Sequence, residues 1–241
     1  MLEKFNTIIE LNEHVAELFM QLANKSIAEK NRFTIALTGG SSPKELYKLL
    51  TTDKYRDKID WSKVFVFWGD ERWVPLESNL SNAGEAYRDL LNQISIPNDQ
   101  IFPMYKEGVT PEEYANTYEL LLNEHLEGGK HFDLILLGMG EDGHTASLFP
   151  GEAVLEVKNK KVDAYFLKSQ QMYRITLTAP LINEAKNIIF LVFGEKKIDA
   201  LYQVLEGTGN YQKYPSKLIN PKSGNVYWMV DELVASKIER F

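Results

Sequence analysis

The feature that most limits how this chain can fold is a set of apolar runs that do not alternate. Residues 33–38 (Phe33-Thr34-Ile35-Ala36-Leu37-Thr38), 64–68 (Val64-Phe65-Val66-Phe67-Trp68) and 134–137 (Leu134-Ile135-Leu136-Leu137) are apolar almost throughout. A strand with one wet face alternates. A strand buried on both faces does not, and such strands belong to parallel sheets covered by helices. Further strands are expected over 173–178, 187–193 and 226–230. Between the strands the apolar spacing turns helical: Val15, Leu18, Phe19, Leu22 and Ala23 within 11–27, and Leu46, Leu49 and Leu50 within 43–50. Helices are also expected over 79–91, 111–126 and 196–205, with a last one running from Asp231. Thr110 and Pro111 read as a cap and a first-turn proline.

This alternation predicts an α/β fold: Rossmann-like, with a mostly parallel sheet covered by helices on both faces. No repeat, low-complexity tract or linker interrupts the 241 residues. One domain over 1–241 is therefore expected, and Gly207-Thr208-Gly209-Asn210 reads as a turn within it.

The formal charge of −7 argues against nucleic acid as a partner, because an acidic surface repels phosphates. It would repel a small anion too, so any anionic substrate needs a locally positive site. The chain has no cysteine, which excludes disulfides, thiolate catalysis and cysteine metal sites. The N-terminus lacks the apolar core of a signal peptide, and no run of about 18 apolar residues is long enough for a membrane span. A cytoplasmic protein is expected, with no membrane partner, as a monomer or a small homo-oligomer.

In open parallel sheets, ligands bind at the carboxyl ends of the strands. Three predicted strands end in unusual polar loops. Thr38-Gly39-Gly40-Ser41-Ser42-Pro43 offers glycines that let backbone N–H groups approach an anion, two hydroxyls, and a helix start at Pro43. It reads as a phosphate cradle or, more plainly, as a tight turn capped by Ser42. Gly69-Asp70-Glu71-Arg72-Trp73-Val74-Pro75 brings acid and base together. Asp70 is suited to act as a base or to orient a partner, and Arg72 to hold an anion or stabilise developing charge; the plain alternative is a solvated ion pair.

The third loop, residues 138–151, sets Asp142 and His144 among Gly138, Gly140 and Gly143. Histidine, with an ordinary pKa of about 6.5, is suited to general-base work near neutrality, and Asp142 would orient it. His14, His125 and His131 read as structural. Ser147 raises the rival of serine nucleophile chemistry, but no Gly-x-Ser-x-Gly elbow occurs and Ser147 reads as a small packing residue. The lone loop histidine has no second histidine at ligand spacing, so no metal site is expected. Arg174 and Lys197 complete the cations that could supply local positive charge.

In content and order, Leu37-Thr38-Gly39-Gly40-Ser41-Ser42-Pro43, Gly69-Asp70-Glu71-Arg72-Trp73-Val74 and Asp142-Gly143-His144-Thr145-Ala146-Ser147-Leu148-Phe149-Pro150-Gly151 resemble the 6-phosphogluconolactonases. The resemblance continues through Arg174-Ile175-Thr176-Leu177, Gly194-Glu195-Lys196-Lys197 and Tyr214-Pro215-Ser216-Lys217-Leu218, and so covers nearly the whole chain. It implies a fold shared with glucosamine-6-phosphate deaminases. It implies hydrolysis of a small phosphorylated sugar lactone, 6-phospho-D-glucono-1,5-lactone, without metal or organic cofactor. It assigns the general base to His144, anion contact to Arg72, and phosphate binding to Arg174 and Lys197, with Lys196 the adjacent alternative. Asp70 matches a position that is catalytic in the deaminases. The readings that compete with it are a deaminase or isomerase on the same scaffold and a non-catalytic sugar-phosphate sensor.

Overall fold

In the computed structural model, residues 1–128 and 131–240 are described. The elements run β1 (Leu2–Phe5), α1 (Ile8–Lys30), β2 (Phe33–Leu37), α2 (Lys44–Leu50), α3 (Asp53–Arg56), β3 (Val64–Trp68), β4 (Asp70–Arg72), α4 (Asn82–Asp89), α5 (Pro111–His125), β5 (Leu134–Gly138), β6 (Val162–Leu167), β7 (Met172–Leu177), α6 (Ala179–Ile182), β8 (Asn187–Val192), α7 (Ile198–Leu205) and β9 (Asn225–Asp231), joined by short 3₁₀ turns.

The unalternating runs are where they should be. β2, β3, β5 and β8 belong to a six-stranded sheet of order β1-β9-β8-β5-β2-β3, and every pairing in it is parallel. All five residues of β2 are buried. Helices pack around this sheet, and their apolar stripes join Leu11, Val15, Phe19, Leu46, Tyr118 and Leu201 to the strand residues in one core. The expected cap of α5 forms as a reciprocal box: the Thr110 hydroxyl accepts from Glu113 N–H, and the Glu113 carboxylate accepts from Thr110 N–H.

Besides the added α3, β6 and α6, three elements differ from expectation. The N-terminal residues form β1, which is held by pairing with β9. The Asp70–Arg72 segment is a strand, β4, which pairs antiparallel with β7; β7 in turn pairs with β6 to make a second, three-stranded sheet. No helix starts at Asp231. The segment that follows β9 runs as turns: Asp231 Oδ1 accepts from Val234 N–H as a helix cap would, but the backbone bonds that follow mix i−4 and i−3 spacing, and Glu206 Oε1 accepts from the N–H groups of Glu239 and Arg240. Among the described residues, no helix is long and apolar enough to cross a membrane.

Candidate active site

The carboxyl ends of β2, β3, β5 and β8 open onto a cavity of about 340 Å³, whose lining includes Thr38, Gly39, Gly40, Ser41, Ser42, Asp70, Arg72, Gly140, His144, Arg174 and Lys197. The three glycine-bearing loops thus converge, as the strand-end argument requires.

The first loop follows β2. Gly40 has φ +83°, a backbone conformation that side chains disfavour, and a Cβ on Gly39 would lie 1.9 Å from Asn82 Oδ1, so Gly40 is required by its dihedral and Gly39 by lack of room. The helix begins one residue later than expected: Pro43 is its cap, Lys44 its first residue, and Ser42 is not the cap. Ser42 Oγ instead stands 3.5 Å from Lys197 Nζ.

Lys197 enters from the turn after β8 and lines the cavity, whereas Lys196 is four-fifths exposed beside Glu141. Burial pushes the Lys197 ammonium below its ordinary pKa, with Glu141 and Asp231 pulling it back up.

On the β4 side, Arg72 Nη1 donates to Leu80 O at 2.8 Å. Arg174 lies opposite Arg72 in the β4–β7 register and is buried. Its Nη1 is 3.8 Å from Asp70 Oδ2, and its Nη2 donates to Gln170 Oε1. Burial lowers the Arg174 pKa, Asp70 raises it, and Arg72 lowers it further. Asp70 is itself buried and fully engaged. Its Oδ2 accepts from Ser147 Oγ at 2.5 Å, and its Oδ1 from Asn82 Nδ2 at 3.4 Å. Ser147 is therefore more than the packing residue expected: its hydroxyl donates to Asp70, while the side chain is fully buried and lies outside the cavity lining, where a nucleophile would have to stand.

Glu71, between Asp70 and Arg72, points away from the cavity into the start of α4. It accepts from the N–H groups of Arg72, Asn82 and Ala83 and from Ser81 Oγ. Burial pushes its pKa up to about 7 despite these donors. This network explains how a run as charged as Asp70-Glu71-Arg72 forms a buried strand.

The loop after β5 carries the histidine. His144 Nδ1 lies 2.5 Å from Asp142 Oδ1, which also accepts from His144 N–H at 3.0 Å. Burial alone would raise the Asp142 pKa, but the His144 contacts outweigh it and hold the carboxyl below its ordinary value. The turn that allows this depends on glycine. Gly143 has φ +77°, and a Cβ on Gly140 would lie 2.1 Å from His144 Nδ1. Ala146 also adopts the left-handed region, with φ 46°. Thr145 Oγ1 donating to Gly138 O and Ser147 N–H donating to Thr176 Oγ1 hold it there.

Sequence reasoning missed Asn82, Gln170 and the role of Phe149 as a wall of the same cavity. Asn82 fell inside the helix expected over 79–91, which in the structure starts at Asn82 itself, and nothing local marks Gln170. His14, His125 and His131 lie away from the cavity, on Glu3, Arg32 and Glu184 O respectively. Among the described residues, no group of three or more His, Asp or Glu side chains is placed to hold a metal ion.

Comparison with known proteins agrees in family and fold. The family model for glucosamine-6-phosphate isomerases/6-phosphogluconolactonase matches residues 7–228. A 6-phosphogluconolactonase of Synechocystis sp. is 42% identical over 212 residues, 86% of this chain and 85% of that protein. One from Chlamydia pneumoniae is 37% identical over 86% of this chain and 79% of its own length. The structure of 6-phosphogluconolactonase from Trypanosoma brucei superposes with a TM-score of 0.87 at 29% identity, covering 99% of this chain and 98% of that one. The chain is an enzyme of the glucosamine-6-phosphate isomerase/6-phosphogluconolactonase family.

Proposed function

We propose that this enzyme hydrolyses 6-phospho-D-glucono-1,5-lactone to 6-phosphogluconate, the second step of the oxidative pentose phosphate pathway, with His144 as the general base on water. The observation that carries this reading is the Asp142–His144 contact at the cavity wall. Ionised Asp142 is acceptor-only, so Nδ1 holds the proton and Nε2 is left as the acceptor.

The phosphate, with a charge of about −1.5 to −2, docks on the Gly39, Gly40, Ser41 and Ser42 loop with Lys197 and Arg174. Lys197 is preferred over Lys196 because it lines the cavity. His144 Nε2 takes a proton from water, and the hydroxide attacks the lactone carbonyl carbon. Arg72 or a loop N–H stabilises the oxyanion, worth roughly 10²–10³-fold in comparable sites. Collapse breaks the bond from the carbonyl carbon to the ring oxygen, and the imidazolium returns its proton to that oxygen as the ring opens.

Asp70 serves as an anchor for Arg174. Its engagement by Ser147, Asn82 and Arg174 suits a fixed anion better than a base that abstracts a substrate C–H proton, and so favours hydrolysis over deamination.

The test generates the lactone in situ and follows 6-phosphogluconate against the spontaneous background, with glucosamine-6-phosphate monitored in parallel for ammonia. The expected result is acceleration of the first reaction alone. His144→Ala, still folded, should then lose about 10²–10⁴-fold in kcat. Ammonia release without lactone hydrolysis would move the reaction to the deaminase type. Unchanged turnover in His144→Ala would remove His144 from the mechanism.

A further inference from the structure

The contact with Asp142 fixes one point of the His144 ring but not its plane. The ring moves by two torsions, about Cα–Cβ and Cβ–Cγ, and one hydrogen bond at Nδ1 does not fix both, so Nε2 can still shift within the cavity. The structure supplies a second constraint. The Phe149 ring stacks on the imidazole with centroids 4.1 Å apart and planes 23° from parallel. The same phenyl ring has the Arg174 guanidinium carbon 5.5 Å from its centroid, within cation–π range. One buried ring therefore touches both the histidine and the buried arginine of the cavity.

Phe149 can serve as a reference surface because its own position is determined. It is 6% exposed, and its neighbour Leu148 is fully buried in the core. A bridge between Thr145 and Leu148 closes the loop before it, and Ser147 is pinned by Asp70.

We infer that Phe149 is a positioning residue. Its face sets the plane of the His144 ring, hence the direction of Nε2, and keeps that ring at a fixed separation from Arg174. This rests on His144 being the base, as proposed above. The chemistry asked of Phe149 is a flat face, not merely apolar volume. Leucine fills similar space without a face, and tyrosine keeps the face.

Phe149→Leu and Phe149→Tyr separate these roles. In Phe149→Leu, kcat should fall about 10–100-fold with KM within about twofold of wild type, because a small misplacement of a reacting group is costly while Arg174, though it loses the ring face, stays held by Asp70 and Gln170. Phe149→Tyr should recover most of that loss. Proton NMR of the His144 ring gives a readout independent of turnover. Its carbon-bound protons are shielded by the stacked phenyl ring, and should move downfield in Phe149→Leu but not in Phe149→Tyr. Wild-type kcat in folded Phe149→Leu overturns the inference, as does a loss of kcat with the His144 resonances unmoved. If Phe149→Leu does not fold, Phe149→Met is read in the same way. If the unmodified enzyme does not hydrolyse the lactone, the proposed reaction fails, while the NMR comparison still decides whether the Phe149 ring stacks on the imidazole.

Discussion

Gly140→Ala tests the site with one methyl group. An added Cβ would lie 2.1 Å from His144 Nδ1, 2.2 Å from Cε1 and 2.7 Å from Asp142 Oδ1. An ordinary contact is about 3.5 Å, so the imidazole must retreat by about 1.4 Å, the difference from 2.1 Å. The ring is the end of a side chain and yields more readily than the backbone. Gly140 N–H donates to His144 O, a bond that alanine retains. Gly140 is not among the positive-φ glycines, so alanine meets no dihedral penalty. The fold should therefore survive while Nε2 is displaced and the Asp142 contact is broken. A misplacement near 1 Å costs about 10²-fold, so kcat in the lactone assay should fall by about two orders of magnitude. KM should stay within about twofold, because Lys197 and Arg174 are untouched. A thermal melt checks that the variant is folded. A melting temperature near wild type with kcat within threefold of wild type would refute the reasoning, since the base would then not depend on the placement read from the structure.

Other predictions follow from charges at fixed places. Lys197→Ala should raise KM by tenfold or more, whereas Lys196→Ala should leave it near wild type, because only Lys197 lines the cavity; equal effects on KM in steady-state kinetics would undo that assignment. Glu71→Gln turns an amide N–H toward backbone N–H donors and should cost about 1–3 kcal/mol in denaturant unfolding. That difference should widen as pH falls from about 7 toward the ordinary carboxyl range, because the folded wild type takes up a proton before the unfolded chain does and gains stability that glutamine cannot; a constant difference across pH would count against it. His125 accepts from Arg32 Nη2 at 3.0 Å, and burial holds its pKa below the ordinary histidine value. The unfolded chain therefore binds this proton first as pH falls, and stability is lost below about pH 6.5. His125→Gln should flatten the fall in melting temperature between pH 7 and 5.5, and an unchanged slope would exclude His125 as its source.

Much of this architecture was legible because burial leaves its mark on composition. β2, β3, β5 and β8 are covered on both faces, and their apolar runs show it. β4 was illegible because its charge is neutralised from afar: Glu71 reads as a surface residue until Ser81, Asn82 and Ala83 are folded against it. β1 exists through a partner more than two hundred residues away in sequence. The expected last helix does not form, and the end of the chain is tied instead to Glu206, which accepts from the N–H groups of Glu239 and Arg240. The site divides along the same line. Residues at strand ends were marked by the glycines beside them. Gln170 has no local mark, because only the β6–β7 hairpin carries it to Arg174.

The same logic answers how an enzyme with a net charge of −7 can receive an anionic sugar. Lys197, Arg72 and Arg174 all reach one cavity, and Lys197 and Arg174 sit there at a desolvation cost that lowers their pKa values. Two carboxylates nearest the chemistry are screened by donors, Asp70 by Ser147 and Asn82 and Asp142 by His144. A hydrogen-bonded carboxylate still offsets some positive charge, but part of its own charge is taken up by its donors. Three cations, Lys197, Arg72 and Arg174, line the cavity against two acids, Asp70 and Glu141. The local field there has the opposite sign to the molecule as a whole. That arrangement costs stability when the site is empty, and a bound phosphate would relieve it.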